Sequence, residues 1–101
     1  MNVINWIENW FAYKCNGDWE HENGIEIVSV SNPGWYITID LRNTPLENLQ
    51  IDNDTIEHSE NDWYFYIVKD AKYLASGDTT KLEFLLEKFK ELVEQNSKIK
   101  E

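Results

Sequence analysis

The chain carries a single cysteine, Cys15, so no disulfide can close within it. That fits a reducing compartment. There are two histidines, His21 and His58, and no His-rich run that would gather a metal. A structural zinc site needs four ligands, and Cys15 with His21 lacks a second pair. No Gly-rich phosphate loop and no nucleophile elbow occur. No apolar stretch approaches the ~18 residues of a membrane span, and no basic start followed by an apolar run suggests a signal peptide. The absence of βαβ alternation, internal repeats and linkers speaks for one domain over residues 1–101, with a frayed polar tail from about 96. A cytoplasmic protein without metal or cofactor is the expectation.

What is abundant is acid and aromatic surface. Residues 1–68 carry twelve acids and two bases, Lys14 and Arg42, whereas residues 69–101 carry seven of each. The excess negative charge therefore belongs to the first two thirds. Such a field repels nucleic acid and anionic membranes and attracts basic partners. Five Trp, five Tyr and four Phe supply enough apolar area for a core and argue against disorder.

Residues 3–15 have helical spacing, with Trp6, Ile7, Trp10 and Phe11 on a broad apolar arc, and Asn16-Gly17 stops them. Gly24 to Ser31 reads as a strand, Asn32-Pro33-Gly34 as a turn in which Gly accepts positive φ, and Trp35 to Arg42 as an alternating strand. Thr44-Pro45-Leu46-Glu47 suggests one short helical turn. Thr55 to His58 suggests an edge strand. The six apolar residues Trp63 to Val68 suggest a central strand buried on both faces. Lys69 to Lys72 reads as a hairpin turn, Tyr73 to Ser76 as the return strand, and Gly77 as its end. Thr80 and Glu83 form a capping box for a last helix striped with Leu82, Leu85, Leu86, Phe89, Leu92 and Val93. Phe84 lies off that stripe and is expected to pack under the long loop. The fold class is α+β: an antiparallel sheet of four or five strands, with N-terminal and C-terminal helices packed on one of its faces.

Candidate chemistry is sparse. Cys15 and His21 suggest a nucleophile–base pair or, with Asp18 and His58, metal ligands, but simple packing explains them better. Asp18, Glu20 and Glu22 offer paired carboxylates, which acid–base catalysis would need partly buried. They read as a solvated acidic edge around an exposed turn, which Asp18 would pin by accepting backbone N–H groups. The tryptophans invite a stacking role, yet nucleic-acid stacking needs a basic groove that the front of this chain lacks.

Several blocks in this order resemble the immunity protein 53 family, bacterial proteins that protect cells from polymorphic toxins. They are Cys15-Asn-Gly-Asp-Trp-Glu-His21, Gly24-Ile25, Asn32-Pro-Gly-Trp35, Ile39-Asp40-Leu41, Thr44, Asp62-Trp63, Gly77-Asp78, Leu82 and Phe89. The resemblance covers most of the chain. It implies an intracellular inhibitor whose partner is a cognate toxin, and it names no contact residues; that the chain is no enzyme is expected from its lack of catalytic motifs. The charge adds that the toxin is basic, as a nuclease would be, and it speaks against nucleic acid and membrane as direct partners. The partner-binding residues expected on this basis are Asp18, Trp19, Glu20, Glu22, Tyr36, Asp40, Glu57, Glu60 and Asp62, with Trp19 and then Tyr36 as aromatic anchors. Two other classes stay open: a carbohydrate or small-ligand module using exposed aromatics, and a hydrolase using carboxylates or Cys15.

Overall fold

Asn2 opens the first helix by accepting a hydrogen bond from the Asn5 N–H at 2.8 Å, an N-cap worth about 1 kcal/mol. In this computed structural model, which describes residues 2–52 and 54–99, the helix α1 spans Val3–Lys14. A short helix α2 (Trp19–Glu22) follows, then β1 (Ile25–Val30), β2 (Gly34–Asp40), β3 (Ile56–Ser59), β4 (Asp62–Lys69), β5 (Lys72–Gly77) and α3 (Leu82–Ile99). The five strands form one antiparallel sheet in the order β1-β2-β5-β4-β3.

Alternation along the strands gives the sheet two faces. Ile37 and Ile39 of β2, Tyr73 and Ala75 of β5 and Val68 of β4 lie on one face and are buried. Onto it pack Ile7 and Trp10 of α1 and Leu85, Leu86 and Phe89 of α3. Phe89 meets Trp10 edge-on at 5.0 Å and Trp6 at 6.0 Å, so α1 and α3 share one aromatic seam. Tyr73 crosses this core, and its hydroxyl donates to the Leu85 carbonyl at 2.7 Å. Burial raises the pKa of that phenol far above its ordinary value, so it stays protonated and able to donate. Both helices thus cover the same face, as the sequence suggests.

Six expectations need correction. The central strand is β5, not β4, and β4 is only half-buried along most of its length. Its apolar run arises because its second face is apolar without being covered. Thr44 starts no helix: its hydroxyl donates to the Leu41 carbonyl and accepts from the Leu46 N–H, within successive turns. Gly34 is required for space rather than for φ, because a Cβ there would strike the backbone carbonyl of Gly77 on β5; the Asn32–Pro33 bond before it is cis. Gly77 ends β5 from within, and α3 starts at Leu82, with the Thr80 hydroxyl donating to Asp78 instead of capping the helix. Helix α3 runs to Ile99, past the start of the expected frayed tail; Lys100 and Glu101, at its end, lie outside the described residues. Phe84 packs, but on Tyr64 of β4, at 4.7 Å between ring centroids, rather than under the loop.

Candidate partner-binding surface

The block from Cys15 to His21 builds a self-locking corner. The Asn16 side-chain oxygen accepts from the backbone N–H groups of Asp18 and Trp19, both at 2.9 Å. Glu20 reaches back and accepts from the N–H groups of Asn16 and Gly17 at 2.9 and 2.8 Å. Hydrogen bonds from backbone groups, Glu20's own first, hold its carboxyl below its ordinary range. Gly17, at φ 96°, takes the left-handed conformation this reversal needs. Asn16 and Glu20 pin the turn, and Asp18 makes no side-chain cap bond.

Trp19 is the largest correction to the expected site. It is 3% exposed and sits edge-on to Trp10 and Phe11, both at 6.1 Å. Its indole N–H donates to the Arg42 carbonyl at 2.8 Å. As the first residue of α2, it turns back onto α1 while its acidic neighbours face outward. It plugs the core and presents no anchor to a partner.

Cys15 is partly buried at the end of α1, its N–H bonded to Phe11 and Ala12. Burial, followed by the charge of Glu20, raises its thiol pKa, the opposite of what a thiolate nucleophile needs. Among the described residues no three His, Cys, Asp or Glu side chains come together as a metal site.

The later blocks form a second lock at the far end of the sheet. Asp78 is 3% exposed. It accepts from the Trp63 N–H, the Thr80 N–H and hydroxyl, and Lys81 Nζ, at 2.9, 2.7, 2.6 and 2.7 Å. Burial pushes the pKa of this carboxyl up, but the four hydrogen bonds outweigh it and leave the group well below the ordinary range. Lys81 also meets Asp62 at 2.7 Å, and bonds to Asp62 and Asp78 raise its pKa. The Trp35 indole donates to the Thr79 carbonyl at 3.1 Å.

These locks sort the expected contact residues. The carboxylates of Glu20 and Asp62 are engaged within the chain. Asp40 accepts from the Gly24 N–H at 2.8 Å and lies 3.9 Å from Lys72. Asp18, Glu22, Glu57 and Glu60 are exposed and enter no ion pair among the described residues. Asp18 and Glu22 stand beside the helix layer near the start of β1. Glu57 and Glu60 stand at the opposite end of the sheet. Strands of six or seven residues separate the two groups by about 20 Å, so they form no single cluster.

Tyr36 lies on the sheet face away from the helices. In register across that face run Val28, Tyr36, Ser76 and Phe65, and beside them Glu26, Thr38, Leu74 and Ile67. Glu57 is paired with Trp63 at the upper corner, and Lys69 with Lys72 at the lower end. A shallow recess at that upper corner is lined by Asn32, Thr55, Glu57, Glu60, Asn61 and Trp63. Sequence reading places Trp63 and Phe65 in a strand covered on both sides and so misses them as surface. The signal for them is that two helices on one face leave the other without a cover.

Among the described residues no helix is long and apolar enough to cross a membrane. No curated protein and no solved structure is significantly similar to the chain. The family model of immunity protein 53 matches residues 4–94. That span takes in the corner around Trp19, the three hairpins, the lock around Asp78 and most of α3, and the chain belongs to the immunity protein 53 family.

Proposed function

We propose that this chain is a cytoplasmic immunity protein that neutralises a basic toxin domain, such as a nuclease, by binding it and without catalysis. Family membership supplies toxin neutralisation. The observation that carries the basic character of the partner is the division of the acids. Glu20, Asp40 and Asp62 spend their charge inside the fold, whereas Asp18, Glu22, Glu57 and Glu60 keep theirs in solvent. With a net charge of −10, the chain attracts a cationic surface over distances of about a Debye length, ~10 Å at 0.1 M salt. This field raises the association rate and selects the partner more than it deepens affinity.

The test is binding kinetics with the inactivated toxin domain encoded beside the gene. Association should slow by about tenfold or more from low to high salt, while dissociation changes much less. Co-expression should rescue growth. Salt-independent association would remove the electrostatic reading, and failure of the wild-type chain to bind would remove neutralisation by binding.

A further inference from the structure

The two sheet faces carry apolar side chains for different reasons. On the helix side Ile37, Tyr73 and Ala75 are 0% exposed. On the other side no helix or strand among the described residues packs, and Val28 and Tyr36 are 48% and 37% exposed. Leu74, Phe65, Ile67 and Trp63 share that side and are sheltered only in part, by one another and by neighbouring strands. Leu74 shows the contrast directly, because Tyr73 and Ala75 flank it in sequence and are fully buried. A fold that only needed solubility would carry polar residues at these positions.

Size is the next consideration. Five strands about 4.8 Å apart and about 20 Å long make a face of roughly 400 Å². The apolar side chains occupy part of that face, interrupted by Ser76 and Thr38, and an exposed apolar patch rimmed by polar residues marks an interaction site. A standard interface covers about 800 Å² per partner, so a partner seated here must also reach the rim. The rim is electrically uneven. Glu57 and Glu60 flank Trp63 at the upper corner and enter no ion pair among the described residues, while at the lower end Lys69 and Lys72 are interspersed with Asp70, Asp40 and Glu26. A cationic partner is therefore drawn to the upper corner, where the carboxylates have no paired lysine of their own.

We infer that the helix-free face of the sheet is the docking surface for the basic toxin, and that the recess at Trp63 receives an arginine side chain from it. A guanidinium stacks on an indole face and presents a planar fork of donors to carboxylates, here Glu57 and Glu60. Tyr36, Phe65 and Leu74 supply the dry centre that makes such a pair strong. This rests on the reading of the chain as a toxin-binding protein and adds where and how the toxin sits.

The experiment measures affinity for the inactivated toxin domain encoded beside the gene, with Tm recorded for every variant. Phe65→Asp and, as a milder second probe, Tyr36→Ser should each weaken binding, the former by about 100-fold, with the fold intact. Glu57→Gln with Glu60→Gln should cost about tenfold, mostly in association rate. Asp18→Lys with Glu22→Lys, at the other end of the molecule, should change affinity by less than about threefold. Wild-type affinity in both folded Phe65 and Tyr36 variants would overturn the inference. So would a dimer of the free protein that Phe65→Asp abolishes, since a second copy would then own the face. A wild-type chain that binds no toxin would overturn the functional reading itself, and this inference with it.

Discussion

Trp63 and Asp78 hold each other through the backbone. The Trp63 N–H donates to the Asp78 carboxylate at 2.9 Å, and the Asp78 N–H donates to the Trp63 carbonyl at 3.1 Å. This double link ties the start of β4 to the loop that launches α3. Lys81 closes it from the solvent side.

Asp78→Ala should therefore destabilise the protein by about 2 kcal/mol, because it takes the acceptor from the half-buried Trp63 N–H and from Thr80 and leaves Lys81 with Asp62 alone. The pH dependence follows from the lowered carboxyl pKa of Asp78. A group whose folded pKa is depressed stabilises the fold above its unfolded pKa and loses that contribution as pH falls toward the folded value. Denaturant melts of the wild type should weaken below about pH 4, and the Asp78→Ala variant should show a shallower loss over the same range.

The corner around Trp19 makes a contrasting pair of charge reversals. Glu22→Lys should leave Tm nearly unchanged, since Glu22 is exposed and enters no ion pair among the described residues. Glu20→Lys should lower Tm clearly, since it removes the acceptor for two backbone N–H groups. Trp19→Ala should cost about 4 kcal/mol, in line with truncating a buried tryptophan. Thermal melts of the three variants check the order.

Two glycines should respond differently to alanine. At Gly34 the new Cβ meets backbone of the neighbouring strand, which cannot move aside, and Gly34→Ala should cost about 3 kcal/mol. At Gly77 the Cβ meets Lys81 Cβ at 2.7 Å and Cγ at 3.0 Å and the Trp63 carbonyl at 3.2 Å. These contacts are less severe than the one at Gly34, so Gly77→Ala should cost less, about 2 kcal/mol, by shifting Lys81 and the start of α3. Urea titrations resolve the difference.

A stabilising change is available at the β4–β5 turn. Ala71 holds φ 60° next to Asp70 at φ 54°. A left-handed alanine costs about 1–2 kcal/mol that glycine avoids, partly offset by glycine's freedom in the unfolded chain. Ala71→Gly should gain about 0.5 kcal/mol, seen as a rise in Tm of a few degrees.

How much of this was legible in the sequence depends on the range of the interactions. Helix periodicity at both ends, the β1–β2 hairpin and the turn at Lys69 to Lys72 are local patterns, and each element forms where its spacing says. The role of Trp19 was not legible, because its acidic flanks look exposed and only the return onto α1 buries the ring. Gly34 was misread because its neighbour, Gly77, is distant in sequence and becomes adjacent only when β2 pairs with β5. The β4 run was misread for a related reason. Its composition is that of a strand covered on both sides, but both helices were expected on one face. Taken together, those two readings already require an uncovered apolar face, which periodicity within β4 alone could not reveal.

The positions of the two locks have an evolutionary consequence. The Trp19 corner and the Asp78 clamp sit at opposite ends of the sheet, and most of the family-resembling blocks lie in or beside them. Between the ends, Tyr36, Phe65, Ile67 and Leu74 stand on the helix-free face, outside the hydrogen bonds of either lock. Substitutions there are decoupled from the residues that maintain the scaffold. Such a chassis can change the residues of its helix-free face without relearning how to fold.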